Sequence, residues 1–492
     1  MTASLPWLLL VCALATALAC ALSPSARLRE IVHLVGTALT TAVCLWLVQA
    51  VLRYGDVFAG GRIIFVDPLG AVVLLIIALV STVAAVQSIG YMRVDRREHT
   101  VGRGQERLYY SFFHLFVAAM YVVPLANNLG VAWVAIEATT VASAVLVALY
   151  RNKESLEAAW KYLVLCSVGI AFALLGLTLL YGAAVGVYGP GDNRLDFTFL
   201  ARVAHTLSPP VALLSFALVL VGYGTKVGLA PLHFWLPDAH SQAPSPISGM
   251  LSGALLNVGL YGILRLLIIV DHLSTGLLAN HLCIAFGLLS MAVAFPFVLL
   301  QQDIKRMLAY SSVEQMGILL FGVGLGGPLA LLAVILQMFS HALVKSTLFM
   351  AAGNLSQQYG TKRIQRITAA LRGSPMTGLL LLIGGLELVG APPFALFTSE
   401  FSLTVAGFGA GDDALTVVFL LLLAALFGAT LYQIGRMAFG ADVGRTLARR
   451  SAWTTWPLVV PVAIAACLGI YVPGEFALLA HSAAAVLGGR ML

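Results

Sequence analysis

Apolar runs of about 20 residues, each enough to cross a hydrocarbon core of roughly 30 Å as a helix, recur along this chain from end to end. They start near Leu5, Val32, Leu69, Phe112, Val131, Ala158, Val211, Ser248, Ile284, Met307, Leu329, Met376, Ala414 and Trp456. Hydrocarbon offers backbone N–H and C=O groups no partner, so runs of this length must bond within themselves as helices. The expected fold is therefore an all-α polytopic membrane protein with about fourteen transmembrane helices. Composition leaves no soluble alternative: 60% of residues are hydrophobic, 10% are charged and the mean hydropathy is +0.96. The first run, Leu5 to Leu22, has no basic stretch before it and reads as a retained helix. Cys12, Cys20, Cys44, Cys166, Cys283 and Cys467 stand singly in or beside apolar runs without a CxxC, which points to packing.

The net charge of +7 is a matter of position. Short cytoplasmic loops collect Lys and Arg. With the N-terminus outside, the inside loops hold most of the basic residues, among them Arg27, Arg29, the Arg93 to Arg107 loop, Arg151, Lys153, Lys305, Arg306, the Lys362 to Arg372 stretch, Arg436, Arg445, Arg449 and Arg450. The outside segments hold Arg53, Arg62, Arg194, Arg202, Arg265 and Arg490. Both termini are expected outside, and nucleic acid need not be invoked.

The stretch from Gly224 to Asn257, GTKVGLAPLHFWLPDAHSQAPSPISGMLSGALLN, organises the middle of the chain. Lys226 lies inside an apolar helical run, and Pro231 interrupts that run five residues later. Proline removes a backbone donor and clashes one turn back, so the seventh helix should break there. Such a break is tolerated only where protein or a water-filled cavity satisfies the freed groups, which makes the buried lysine a site hypothesis. His233 and His240 follow the break and could pass protons, since imidazole titrates near neutrality; a hydrogen-bonded structural role is as good a reading for either.

Upstream, Glu137 is alone in the helix VAWVAIEATTVASAVLVALY and needs a partner inside the bundle. Lys161 lies about one turn inside the next helix, where snorkelling toward the headgroups competes with function. His33 and Asp67 are lone polar points of structural kind. Downstream, QMFSHALVKSTLFMAAGN sets His341 and Lys345 four residues apart on one helix face. LELVGAPPFALFTSEF then puts Glu387 before a Pro392-Pro393 break and Glu400 after it. TKVGLAPLHFWLPDA and LELVGAPPFALFTSE share charge, glycine, proline break and aromatic, with Lys226 set against Glu387. Broken helices at corresponding places are the mark of a transporter built from repeats. The expected domains are a three-helix segment over 1–108, five-helix repeats over 109–275 and 276–440 that an odd helix number makes inverted, and a C-terminal helix and tail over 441–492.

The segments TKVGLAPLHFWLPDAHSQAPSPISGMLSGALLN, QQDIKRMLAYSSVEQMG, HALVKSTLFMAAGN and GAPPFALFTSEF resemble the antiporter-like proton-pumping subunits of respiratory complex I, Mrp cation/proton antiporters and energy-converting [NiFe] hydrogenases. The resemblance covers about Asp67 to Arg436. It implies inverted five-helix repeats with helices 7 and 12 broken, and a polar axis along the membrane plane carried by Glu137, Lys226, His341, Lys345 and Glu400. Lys161, His233 and Glu387 complete the expected relay. Where most members place an eighth-helix lysine, this chain has Asn257, and the LLN there is similar to component F of hydrogenase-4 and its counterpart in formate hydrogenlyase complexes. An asparagine carries no proton, so that stage would need water.

The function so implied is a proton-translocating subunit of a hydrogenase-4-like oxidoreductase in a bacterial or archaeal plasma membrane. A lysine in an apolar helix is held between desolvation and a neighbouring carboxylate, and a change in that balance loads or releases a proton. The chain offers no Fe-S cysteine set and no GxGxxG fingerprint, so no cofactor is expected in it. Fe-S clusters and a NiFe or other redox centre belong to the partner subunits. A complex I or Mrp-type subunit is the alternative, and the membrane half of an inorganic-carbon uptake complex or an uncoupled scaffold is the third reading.

Overall fold

The computed structural model describes residues 2–271, 273–441 and 452–489. Its helices, in chain order, are α1 (Leu5–Leu22), α2 (Ala26–Tyr54), α3 (Pro68–Arg97), α4 (Arg103–Leu125), α5 (Leu129–Val147), α6 (Lys153–Tyr188), α7a (Pro209–Val227), α7b (Trp235–Gln242), α8 (Ser245–Asp271), α9 (Gly276–Leu300), α10 (Ile304–Leu325), α11 (Gly327–Tyr359), α12a (Pro375–Leu388), α12b (Ala395–Gly409), α13 (Asp413–Phe439), α14 (Ala452–Ile470) and α15 (Gly474–Leu487). A small antiparallel hairpin, β1 (Val57–Ala59) and β2 (Ile64–Val66), joins α2 to α3. Among the described residues 13 helices are long and apolar enough to cross a membrane. The run expected near Met376 is split into α12a and α12b, each too short to span alone.

Polar side chains start several of these helices. Asp67, Asn128, Asn152 and Asp303 each accept a hydrogen bond from the first turn of α3, α5, α6 and α10, satisfying donors that have no intrahelical partner. The most apolar window of α8 is 94% buried and that of α13 only 28%, so α8 is the axis of the bundle and α13 part of its lipid-facing wall. Close approach depends on small residues: Gly222 of α7a lies against the backbone of α6 at Ala173, and Gly287 of α9 against Gly317 of α10, where a Cβ would collide.

Both expected breaks are present. α7a ends at Val227 with Gly228 left-handed (φ +79°), and α12a ends at Leu388 with Gly390 left-handed (φ +67°). Pro231 and Pro393 each lie three residues beyond that glycine and follow a cis peptide bond. The freed backbone groups find partners in the bundle. Trp235 Nε1 donates to the Thr225 carbonyl at 2.7 Å, and the Ala230 N–H donates to Ser290 Oγ of α9 at 3.0 Å. In the second break Gln315 Nε2 of α10 donates to the Leu388 carbonyl at 3.3 Å. α8 carries its own irregularity, a wide π turn over Leu251–Leu255 in which the Leu256 N–H reaches back to the Leu251 carbonyl.

Two expectations change. The tail beyond α14 holds a further helix, α15, which packs on α3 and α11. Arg265, placed outside by the sequence, is a buried residue of α8. Arg445, Arg449, Arg450 and Arg490 lie outside the described residues.

Candidate functional site

Lys226 is 1% exposed, in the last turn of α7a. Its stem passes Gly259 of α8, where a side chain would press on the neighbouring Val227. Its Nζ donates to Thr140 Oγ1 of α5 at 2.7 Å and to Tyr162 OH of α6 at 2.9 Å. No carboxylate touches it among the described residues. Glu137 stands one step away: Thr140 Oγ1 donates to Glu137 Oε2 at 3.3 Å, and Ser167 Oγ of α6 donates to Oε1 at 2.6 Å. The threonine hydroxyl can accept from the ammonium and donate to the carboxylate, so a chain of two hydrogen bonds links Lys226 to Glu137 through Thr140. Tyr162 extends the network to Ser143 at 2.8 Å and packs at a tilt against Trp235 of α7b, with ring centroids 4.5 Å apart.

Beyond α8 a second group is buried. Lys345 Nζ donates to the Leu308 carbonyl and to Ser311 Oγ of α10, both at 2.6 Å. His341, one turn away on α11, is fully buried and has no hydrogen-bond partner among the described residues at either ring nitrogen. Glu314 of α10 is 3% exposed, with its Oε2 unbonded by protein. Gln337 Nε2 donates to Gln315 Oε1 at 2.7 Å, and Ser399 Oγ of α12b donates to Gln337 Oε1. Glu400 follows Ser399, buried, its carboxylate tucked against Gly390. Between the two groups lies α8, where Asn257 Nδ2 donates to the Gly253 carbonyl at 2.8 Å, its Oδ1 has no protein partner, and Ser252 meets Ser312 of α10 at 2.8 Å.

Not every expected residue joins this line. Lys161 is 41% exposed in a cleft of about 400 Å³ on the face that carries the basic loops. It bonds Glu157 at 2.6 Å and Asp238 at 3.3 Å, and Asp238 also pairs with Arg306. The cleft floor includes Ser241, whose carbonyl Lys362 Nζ holds at 2.5 Å, and deeper in the protein Lys305 Nζ holds the Ala243 carbonyl at 2.6 Å. Burial pushes the Lys362 ammonium below its ordinary range although Asp303 opposes the shift. Beneath that floor His240, buried without a side-chain partner, stacks on Phe349 at 4.7 Å, and Lys345 Nζ lies 5.7 Å from the same ring. His233 stacks on Phe234 and meets Tyr310 edge-on, apart from any hydrogen-bond partner. Glu387 is fully buried with neither oxygen bonded among the described residues.

Registering the two breaks on glycine and second proline sets Thr225, and not Lys226, against Glu387, and Asp238 against Glu400. The one-residue difference turns the two charges about 100° apart around their helices. Sequence reading also missed Thr140, Glu314 and the Gln315–Gln337 pair. It separated Asp67 from Arg265, which form a two-point ion pair at 2.6 Å while 3% or less exposed, the guanidinium 4.3 Å from the Phe197 ring and 4.7 Å from that of Tyr261. Among the described residues no three His, Cys, Asp or Glu side chains group as a metal site.

Comparison with known proteins adds to this geometry. Residues 126–428 match the family described as NADH:quinone oxidoreductase/Mrp antiporter, transmembrane. The chain is 37% identical to a hydrogenase-4 component F homolog of Methylacidiphilum infernorum, over 84% of this chain and 86% of that one. Among solved structures, a chain of an archaeal membrane-bound sulfane sulfur reductase superposes with a TM-score of 0.88 at 27% identity, covering 99% of this chain and 98% of the other. A chain of the Mrp complex of a Dietzia species shares the fold, with a TM-score of 0.87 at 19% identity over 100% and 98%.

Proposed function

This chain belongs to the NADH:quinone oxidoreductase/Mrp antiporter family of membrane subunits, and on that premise we propose that it translocates protons for a multi-subunit redox complex of the hydrogenase-4 type. The observation that carries the reading is Lys226, an amine enclosed at the broken end of α7a and joined to the half-buried Glu137 by one threonine hydroxyl. A buried ammonium with a movable negative partner is a proton-loading device: motion of Glu137 toward or away from Thr140 changes which state of the lysine is favoured. Protons enter from the cleft at Lys161 and Asp238, pass the floor at His240, and move between Lys226 and Lys345 across α8. They leave past Glu314 toward Glu400. Asn257, His341 and Glu387 present polar atoms without protein partners, and water completes their bonds in this reading.

Residues 109–275 and 276–440 act as two inverted five-helix units, a reading supported by the shared glycine and proline spacing of the two breaks. The basic loops face the cytoplasm and both termini the outside, as the loop charges favour. The redox centres that drive the cycle belong to partner subunits of a bacterial or archaeal plasma-membrane complex. Lys226→Ala in the intact complex, assayed in sealed vesicles, is expected to abolish protons moved per electron while electron transfer by the partners continues. Normal pumping by that variant would overturn the function.

A further inference from the structure

A second set of buried titratable groups lies where α2 and α3 meet α4, the first helix of the first unit, and is unused by the relay above. His33 Nδ1 of α2 and His114 Nε2 of α4 are 2.8 Å apart, with both rings at 1% exposure or less. His33 Nε2 lies 3.2 Å from the Ala85 carbonyl of α3. A carbonyl only accepts, so Nε2 carries the proton, and Nδ1 accepts from His114 Nε2–H. This leaves His114 Nδ1 to take a further proton, whose charge the short bond shares between the two rings.

The surroundings run in one direction. Tyr110, 4.7 Å from the His33 ring between centroids, is buried with no partner for its hydroxyl. One turn further toward the basic face lies an ion cluster: Glu30 with Arg93 at 2.6 Å, and Glu106 with Arg96 at 3.0 Å and Arg29 at 3.6 Å. Glu30, Glu106 and Arg29 are buried, whereas Arg93 and Arg96 reach the surface at 41% and 38% exposure. Tyr109, bonded to Ser88 at 2.6 Å, packs edge-on against Tyr110. Toward the other face the polar line fades through Thr37 and the Thr41–Thr82 pair and ends in Leu47, Val48 and Val51, all buried.

We propose that the His33–His114 pair is a proton-binding site that opens only to the basic face, a reservoir on the input side of the pump. It rests on the proton-translocating function above. A proton arriving at the Glu30–Glu106 cluster passes by way of Tyr110 to His114 Nδ1, is held on the pair, and returns by the same route. Because the site is a dead end, it governs how fast protons are supplied and not how many are moved per electron.

The test is infrared difference spectroscopy of the intact complex after an acid step, with ring-labelled histidine, together with initial translocation rates in sealed vesicles. The pair's protonation band is expected in the parent complex and in Lys226→Ala, and it should vanish in His33→Asn and in His114→Asn alike. Either substitution should slow initial translocation about ten-fold, and the double variant no further, because the two rings act as one unit. A band that survives either substitution, or single variants that translocate at the parental rate, would overturn the proposal. Should asparagine prevent assembly, His114→Gln keeps an amide within reach of His33 and is judged by the same two readouts. Normal pumping by Lys226→Ala strikes at the function itself and leaves the band untouched, so the two failures are distinguishable.

Discussion

Replacing Thr140 by valine removes one hydroxyl and almost no volume. In the parent protein that hydroxyl takes a bond from Lys226 Nζ at 2.7 Å and gives one to Glu137 at 3.3 Å. Thr140→Val therefore costs the lysine one of its two side-chain acceptors and severs its connection to the carboxylate. A hydrogen bond to a charged group contributes about 1.5–3 kcal/mol, which at about 1.4 kcal/mol per decade is a 10- to 150-fold change in the balance between charged and neutral lysine. Proton movement per electron in sealed vesicles should fall by a factor in that range, with the complex assembled and electron transfer intact. Thr140→Ser keeps the hydroxyl and should pump nearly normally. The valine change should also add little to Glu137→Gln, because both break the same chain of bonds. Parental pumping in Thr140→Val, or full additivity with Glu137→Gln, would refute the coupling of the lysine to the glutamate through this residue.

Two further outcomes follow from α8. Asn257→Ala leaves room for water at the site facing Gly253 and Met338 and should weaken pumping modestly, whereas Asn257→Leu fills it with hydrocarbon and should block pumping; equal full activity in both would mean that Asn257 only packs. Arg265→Met leaves Asp67 charged, buried and unpaired, at a cost of about 3–5 kcal/mol, and should lower thermal stability and yield in detergent. Adding Asp67→Asn, which keeps an acceptor for the α3 cap, should restore much of that loss, and a double variant no more stable than Arg265→Met would contradict the ion-pair account.

Features that depend on neighbours in sequence could be read directly. The break after Lys226 follows from Pro231, the shared face of His341 and Lys345 from their spacing, and the need of Glu137 for a partner from the cost of a lone carboxylate in lipid. Contacts between distant segments could not. Arg265 and Asp67 are 198 residues apart and His33 and His114 are 81 apart, so Asp67 and His33 looked like isolated polar residues of structural kind and Arg265 like a loop charge. Thr140 was hidden for another reason. Threonine in an apolar helix ordinarily turns its hydroxyl back to a carbonyl of the preceding turn, as Thr139 does here, and nothing local marks one threonine as a bridge to another helix. Glu314 lies midway along α10, and the buried surroundings that single it out come from other helices.

The wide turn at Leu251–Leu255 divides α8 into a first part, Ser245–Met250, and a second part that carries Asn257, Tyr261 and Arg265 in one stripe. A π turn holds about one residue more than an α turn, so the two parts differ in phase by about 100°. Gly253, inside the turn, is pressed against the Ala342 carbonyl, next to His341. Genetically, the turn behaves as a dial. Deleting one residue within 251–255 would tighten it to α geometry and swing the Asn257 stripe a quarter-turn away from its partners Met338 and Asp67, with the helix scarcely changed in length. An insertion of one residue in the same five positions, wherever it falls, should bring the stripe back, whereas an insertion beyond Arg265 should not.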